Sequence, residues 1–205
     1  MRSAYHATAP RTRIDRTGFT RRHVDVTVAP MSLARLAALE PRTTTDDALA
    51  LFDALPAVRA EDILGTWKGR ELATGHPMDG VLEHSGWYGK RFETLEKVHP
   101  LLVSVNGSLF SMEPRRVPLR LVAAMPRAIA ARTRPLLGLF EPWLRTDKPR
   151  ARLRNLEYRG VTTASMIYDH LPIIDVFRRV DDNTLLGAMD LRGVKQPYFF
   201  ILARA

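Results

Sequence analysis

After Met31 the apolar residues first repeat with a helical period. Ala48, Leu51, Phe52 and Leu55 fall at i, i+3, i+4 and i+7, the buried face of one amphipathic helix. Thr43, Thr44 and Thr45 offer its N-cap, Asp46 and Asp47 set carboxylates against the macrodipole, and Pro56 ends it. From Gly65 the period changes to two. In Gly65-Thr66-Trp67-Lys68-Gly69 the two glycines and the indole share one face of a strand that continues through Glu71 and Leu72 to a Gly75-His76-Pro77 turn. Interior glycines mark a bend or a close backbone approach, so Trp67 suits a ring plugging the tapering end of a curved sheet. A short helix over Asp79–His84 with Gly86 as its terminator comes next. Strands are then predicted at Trp87–Phe92, Leu101–Val105 and Leu109–Met112, with Asn106-Gly107 as a hairpin turn.

Residues 114–150 break this rhythm. Pro114, Pro118, Pro126, Pro135, Pro142 and Pro149 punctuate short apolar helical pieces dotted with arginines. Strands resume at Leu153–Arg159, Val161–Tyr168, Ile173–Val180, Leu185–Leu191 and Tyr198–Ala203, with turns at Asp181-Asp182-Asn183 and Arg192-Gly193. Their close, even spacing indicates an antiparallel meander and not βαβ units. The expected fold is mainly β with accessory helices: an antiparallel barrel or strongly curved sheet carrying a helical insertion. Residues 31–205 form one barrel-like domain in this reading, with halves at 45–113 and 151–205 and the insertion at 114–150 between them. Neither half alone has enough strands to close a barrel.

Composition narrows the function classes. There is no cysteine, which excludes disulfides, thiolate metal sites and a cysteine nucleophile and fits a cytoplasmic location. No apolar run approaches the roughly 18 residues of a membrane span. The net charge of +9 is carried mostly by arginine, and about four of those charges lie before Met31. In residues 1–30, Arg2, Arg11, Arg13, Arg16, Arg21 and Arg22 alternate with Ser, Thr and Pro. Such a segment cannot offset its ordering entropy, so a disordered basic extension is expected, with Met31 as the true start. Thr20-Arg21-Arg22 lacks the apolar stretch of a twin-arginine export signal. The remaining charge forms no basic-aromatic stripe, so no nucleic-acid partner is expected.

The GTWKG motif, Trp87-Tyr88-Gly89-Lys90-Arg91-Phe92, the Met166–Asp169 and Pro172–Phe177 stretches, and Leu185–Asp190 with Pro197–Phe200 together resemble a two-part bacterial family, the GXWXG domain followed by a companion domain of unknown function. The resemblance covers roughly residues 45–205. A further similarity is to calycin-like barrels (lipocalins, fatty-acid-binding proteins, nitrobindin), which place Gly-x-Trp near the start of the first strand. Nitrobindin-like proteins extend the motif to a third glycine and bind haem through a histidine. Here Glu71 stands at the third glycine and no histidine follows His170, so neither haem nor another cofactor is expected.

Two constellations can carry chemistry. Ile173, Asp175 and Phe177 share one strand face, so Asp175 is a buried carboxylate if that face lines the barrel. It then needs an arginine partner (Arg91, Arg152 or Arg154) or a raised pKa. Lys90 and Arg91 beside Trp87 and Tyr88 can hold an anionic head group while rings hold an apolar tail; alternatively Trp87 points inward and Lys90 is solvated. The histidines show no metal-ligand spacing, and no serine sits in a nucleophile-elbow context. The leading expectation is non-enzymatic binding of a small apolar or amphipathic ligand (fatty acid, isoprenoid or aromatic metabolite) lined by Trp67, Trp87, Tyr88, Arg91, Tyr168 and Phe177. A cofactor-free enzyme would use Asp169 or Asp175. An interaction module would use residues 117–144 for peripheral membrane contact or a homodimer.

Overall fold

The computed structural model describes residues 28–40, 43–105, 107–116 and 139–205. Helix α1 spans Val28–Leu39, beginning ahead of Met31, and α2 spans Thr45–Ala54. Thr44 caps α2 as expected, its hydroxyl accepting from the Asp47 amide at 3.2 Å. Strand β1 (Gly65–Glu71) follows, then α3 (Val81–His84), β2 (Trp87–Phe92), β3 (Val98–Val105) and β4 (Ser108–Ser111). After the short helix α4 (Glu141–Leu144) come β5 (Ala151–Tyr158), β6 (Val161–Tyr168), β7 (Ile173–Arg179), β8 (Thr184–Leu191) and β9 (Tyr198–Arg204). Most of the insertion, residues 117–138, and residues 1–27 of the N-terminal extension lie outside the described residues.

The strands pair antiparallel in the order β1-β2-β3-β5-β6-β7-β8-β9, and β9 returns to β1, closing an eight-stranded barrel. Among the described residues, strand β4 pairs only with β3, as a hairpin beside the barrel. The joints are unequal. β5 and β6 pair in register from Ala151↔Tyr168 to Tyr158↔Val161, whereas β3 and β5 share the single register pair Val98↔Ala151. That thin seam is supplemented by backbone bonds from Arg150 N to Val98 O (2.9 Å) and from Leu153 N to Leu95 O (2.7 Å).

Alternation sorts the core into two layers. Tyr198, Phe200 and Leu202 of β9 face the barrel interior with Trp67, Phe92 and Phe177. Phe199 and Ile201 face outward, where Leu36 of α1 and Leu51 and Phe52 of α2 cover them. β9 is therefore apolar on both faces. Trp67 fills one end of the barrel as its motif suggests: it is 1% exposed, donates from Nε1 to Ile63 O at 2.8 Å, and lies 4.3 Å under the Arg204 guanidinium.

The motif glycines create space for its neighbours. A Cβ at Gly69 would stand 2.1 Å from the ring of Trp87, so the indole packs directly on the β1 backbone. At Gly89, where φ is +151°, a Cβ would stand 1.9 Å from the carbonyl oxygen of Trp67. The β2–β3 register is irregular on both sides of Gly89. The irregularity moves the strand out of phase, and Trp87, Lys90 and Phe92 are all buried.

Candidate functional site

Lys90 is where the sequence pattern misleads. Strict alternation with an inward Trp87 puts Lys90 in solvent, but the shift at Gly89 carries it inside, 3% exposed. Its Nζ lies 2.7 Å from Asp175 Oδ2 and donates to Pro100 O at 3.3 Å. Asp175 is itself 1% exposed, so its partner is Lys90, not Arg91, Arg152 or Arg154. Arg152 is exposed, and Arg154 pairs with Glu96.

Aromatic faces surround this pair. The ammonium lies 4.9 Å from the ring centre of Phe200, 5.5 Å from that of Trp87 and 5.8 Å from that of Tyr168. Register places Met166 of β6 and Met189 of β8 opposite Asp175, and both belong to the same interior cluster. Two buried polar atoms here have no hydrogen-bond partner among the described residues: Asp175 Oδ1 and Trp87 Nε1. Burial pushes the Asp175 carboxyl above its usual range, with Lys90 pulling against it. Burial, and then the neighbouring Asp175, hold the Tyr168 phenol well above its ordinary value.

Of the residues singled out from sequence, Trp87, Tyr168, Asp175 and Phe177 converge on the interior, and Trp67 closes one end. Tyr88 is half-buried and outside that cluster. Arg91 follows Lys90 on the opposite face and lines a cleft on the outside of the barrel. Asp169 is exposed at the β6–β7 turn. Lys90 had only one warning sign, a glycine inside an otherwise regular strand. Glu71, at the position of a third glycine, accepts the backbone N–H groups of Gly80 and Leu82 and so ties the turn before α3 to β1.

A closed antiparallel meander of eight strands, plugged at one end by the Trp67 ring and carrying a polar pair inside, is a calycin-like barrel. The chain belongs to the two-part GXWXG family: residues 50–107 match the GXWXG protein family, and residues 149–204 match its companion, a domain of unknown function (DUF4334). The first match contributes β1–β3 and the second β5–β9, so strands from both make the one barrel. A crystal structure of a protein from Thermomonospora curvata is similar at 34% identity and a TM-score of 0.61, over 86% of this chain and 98% of that one. No curated protein matches the chain.

Proposed function

We propose that the barrel is a non-enzymatic binder of a small amphipathic molecule, held with its polar end at Asp175 and Trp87. The observation that carries this reading is the Lys90–Asp175 pair with its two unpartnered neighbours, Asp175 Oδ1 and Trp87 Nε1. A buried ion pair is a poor stabiliser compared with apolar residues of the same volume. Each unsatisfied buried polar atom costs a further ~1–3 kcal/mol. An interior selected for stability alone would have neither. A ligand hydroxyl can donate to Asp175 Oδ1 or accept from Trp87 Nε1, and polar groups of the ligand would remove these deficits. Its apolar part would lie against Phe177, Phe200 and Tyr168, with Met166 and Met189 as the adaptable side chains that repack around it.

The test is native mass spectrometry of the protein purified from its own host, followed by displacement of fluorescent fatty acids and retinoid-like probes. The expected result is a bound mass released on denaturation and a probe displaced by the extracted compound. A homogeneous unliganded mass with no probe binding would overturn the reading. Loss of binding in Asp175→Asn, with the fold retained, would locate the polar end.

A further inference from the structure

On the outside of the barrel, β2, the β3–β4 hairpin and the stretch Arg145–Asp147 enclose a cleft of about 240 Å³. Three side chains meet in it. His99 Nδ1 lies 3.0 Å from Ser111 Oγ, and His99 Nε2 lies 3.5 Å from Glu93 Oε1. The meander assembles them. His99 pairs with Arg91 across β2–β3, Ser111 pairs with Leu102 across β3–β4, and Glu93 follows directly on β2. His99 is 7% exposed, and burial lowers its pKa below 6.5 against the opposing pull of Glu93. Arg91 lowers it further and Asp147 raises it; these are the other charged groups that act on the ring. Burial therefore favours the neutral ring. The Glu93 carboxylate favours the tautomer with the proton on Nε2, which leaves Nδ1 to accept from the Ser111 hydroxyl.

We infer that this cleft is a second, catalytic site, in which Ser111 is a nucleophile, His99 its general base and Glu93 the positioning residue, acting on esters of short acyl groups. Leu102, Leu109 and Phe110 supply an apolar wall for the acyl chain. Arg145 is tied to Glu141 at 3.0 Å, but Arg91 forms no ion pair among the described residues and is the cation available to a developing oxyanion. Ser111 Oγ bonds to the acyl carbon while its proton passes to His99 Nδ1 and the carbonyl electron pair moves onto oxygen. Collapse re-forms the carbonyl, breaks the bond to the leaving oxygen, and returns the proton to it as an alcohol. Water then repeats the sequence on the acyl-serine and releases the acid. No oxidant, reductant or cofactor enters the balance.

The experiment combines a fluorophosphonate probe with p-nitrophenyl acetate and butyrate as substrates. The expected result is one adduct, mapped by peptide mass spectrometry to Ser111, and ester hydrolysis that falls about 100-fold or more in Ser111→Ala and His99→Gln. In Glu93→Gln the rate falls less, and the acid limb of the pH profile moves to lower pH because a group that raises the His99 pKa has gone. Ser111→Ala changes one exterior oxygen, so a melting curve matching the parent's establishes that it is folded. No adduct, an adduct elsewhere, or undiminished hydrolysis in folded Ser111→Ala would overturn the inference.

Discussion

Lys90 and Arg91 are neighbours in the chain, yet one joins the ion pair inside the barrel and the other lines the cleft outside. The inner cluster is closed off: Lys90 and Asp175 are 3% and 1% exposed, ringed by aromatics, with Asp175 Oδ1 and Trp87 Nε1 left without a partner among the described residues. The outer cluster mixes a buried imidazole with a Glu93 carboxylate 43% exposed, so that carboxylate is open to solvent. Charged side chains therefore meet different surroundings on the two faces of one strand. Inside, a charge is tolerable only with its partner, and the deficit that remains is what the proposed ligand would satisfy. Outside, a charge is inexpensive, because solvent already screens it.

The largest effect should come from breaking the inner pair on one side only. Lys90→Met leaves Asp175 without its cation and should cost ~3–5 kcal/mol in urea unfolding. The loss should shrink toward acid pH, where Asp175 takes up a proton. The double variant Lys90→Met/Asp175→Leu should recover most of the stability. If it is as unstable as the single variant, the pair is structural and the contrast with the outer cluster fails.

Next comes the residue that separates the two clusters. Gly89→Ala meets a backbone carbonyl at 1.9 Å, whereas Gly69→Ala meets a side-chain ring at 2.1 Å. Overpacking of this kind costs ~1–3 kcal/mol, and the rigid obstacle should place Gly89→Ala at the upper end. Comparing the two urea midpoints checks the order.

A smaller effect separates the clusters by pH. His76 and His99 have folded values lowered by burial, so the unfolded chain binds more protons below the ordinary 6.5. Their contribution is fully present above pH 6.5 and is lost as pH falls through the folded values. His99→Gln should flatten part of that slope in melting temperature. The smallest effect belongs to the exposed pair Arg159–Asp53, held at 2.7 Å. Arg159→Met should change stability by less than ~1 kcal/mol, and by less still in high salt.

The strands could be read from sequence because alternation and turn residues act locally. Val161–Tyr168 and Trp87–Phe92 are found where they were predicted, and the Thr44 cap forms as its type requires. Asp175 was visible as a carboxylate on an interior face for the same reason. Its true partner was not, because one irregular position at Gly89 reverses the side on which Lys90 lies, and no periodicity rule contains that step. The meeting of Ser111, His99 and Glu93 was further from view. It depends on two strand registers and a turn acting together, while each residue alone sits in an unremarkable context.

The single register pair between β3 and β5 has a kinetic consequence. Seven joints of the barrel are laced by several paired residues, so local opening should concentrate at the eighth. An interior ligand that exchanges there waits for the joint to part, and its observed association rate should level off with concentration instead of rising without limit. The thin seam would then act as a timer: residence is governed by how often Val98 and Ala151 separate, largely independently of how tightly the polar end is held.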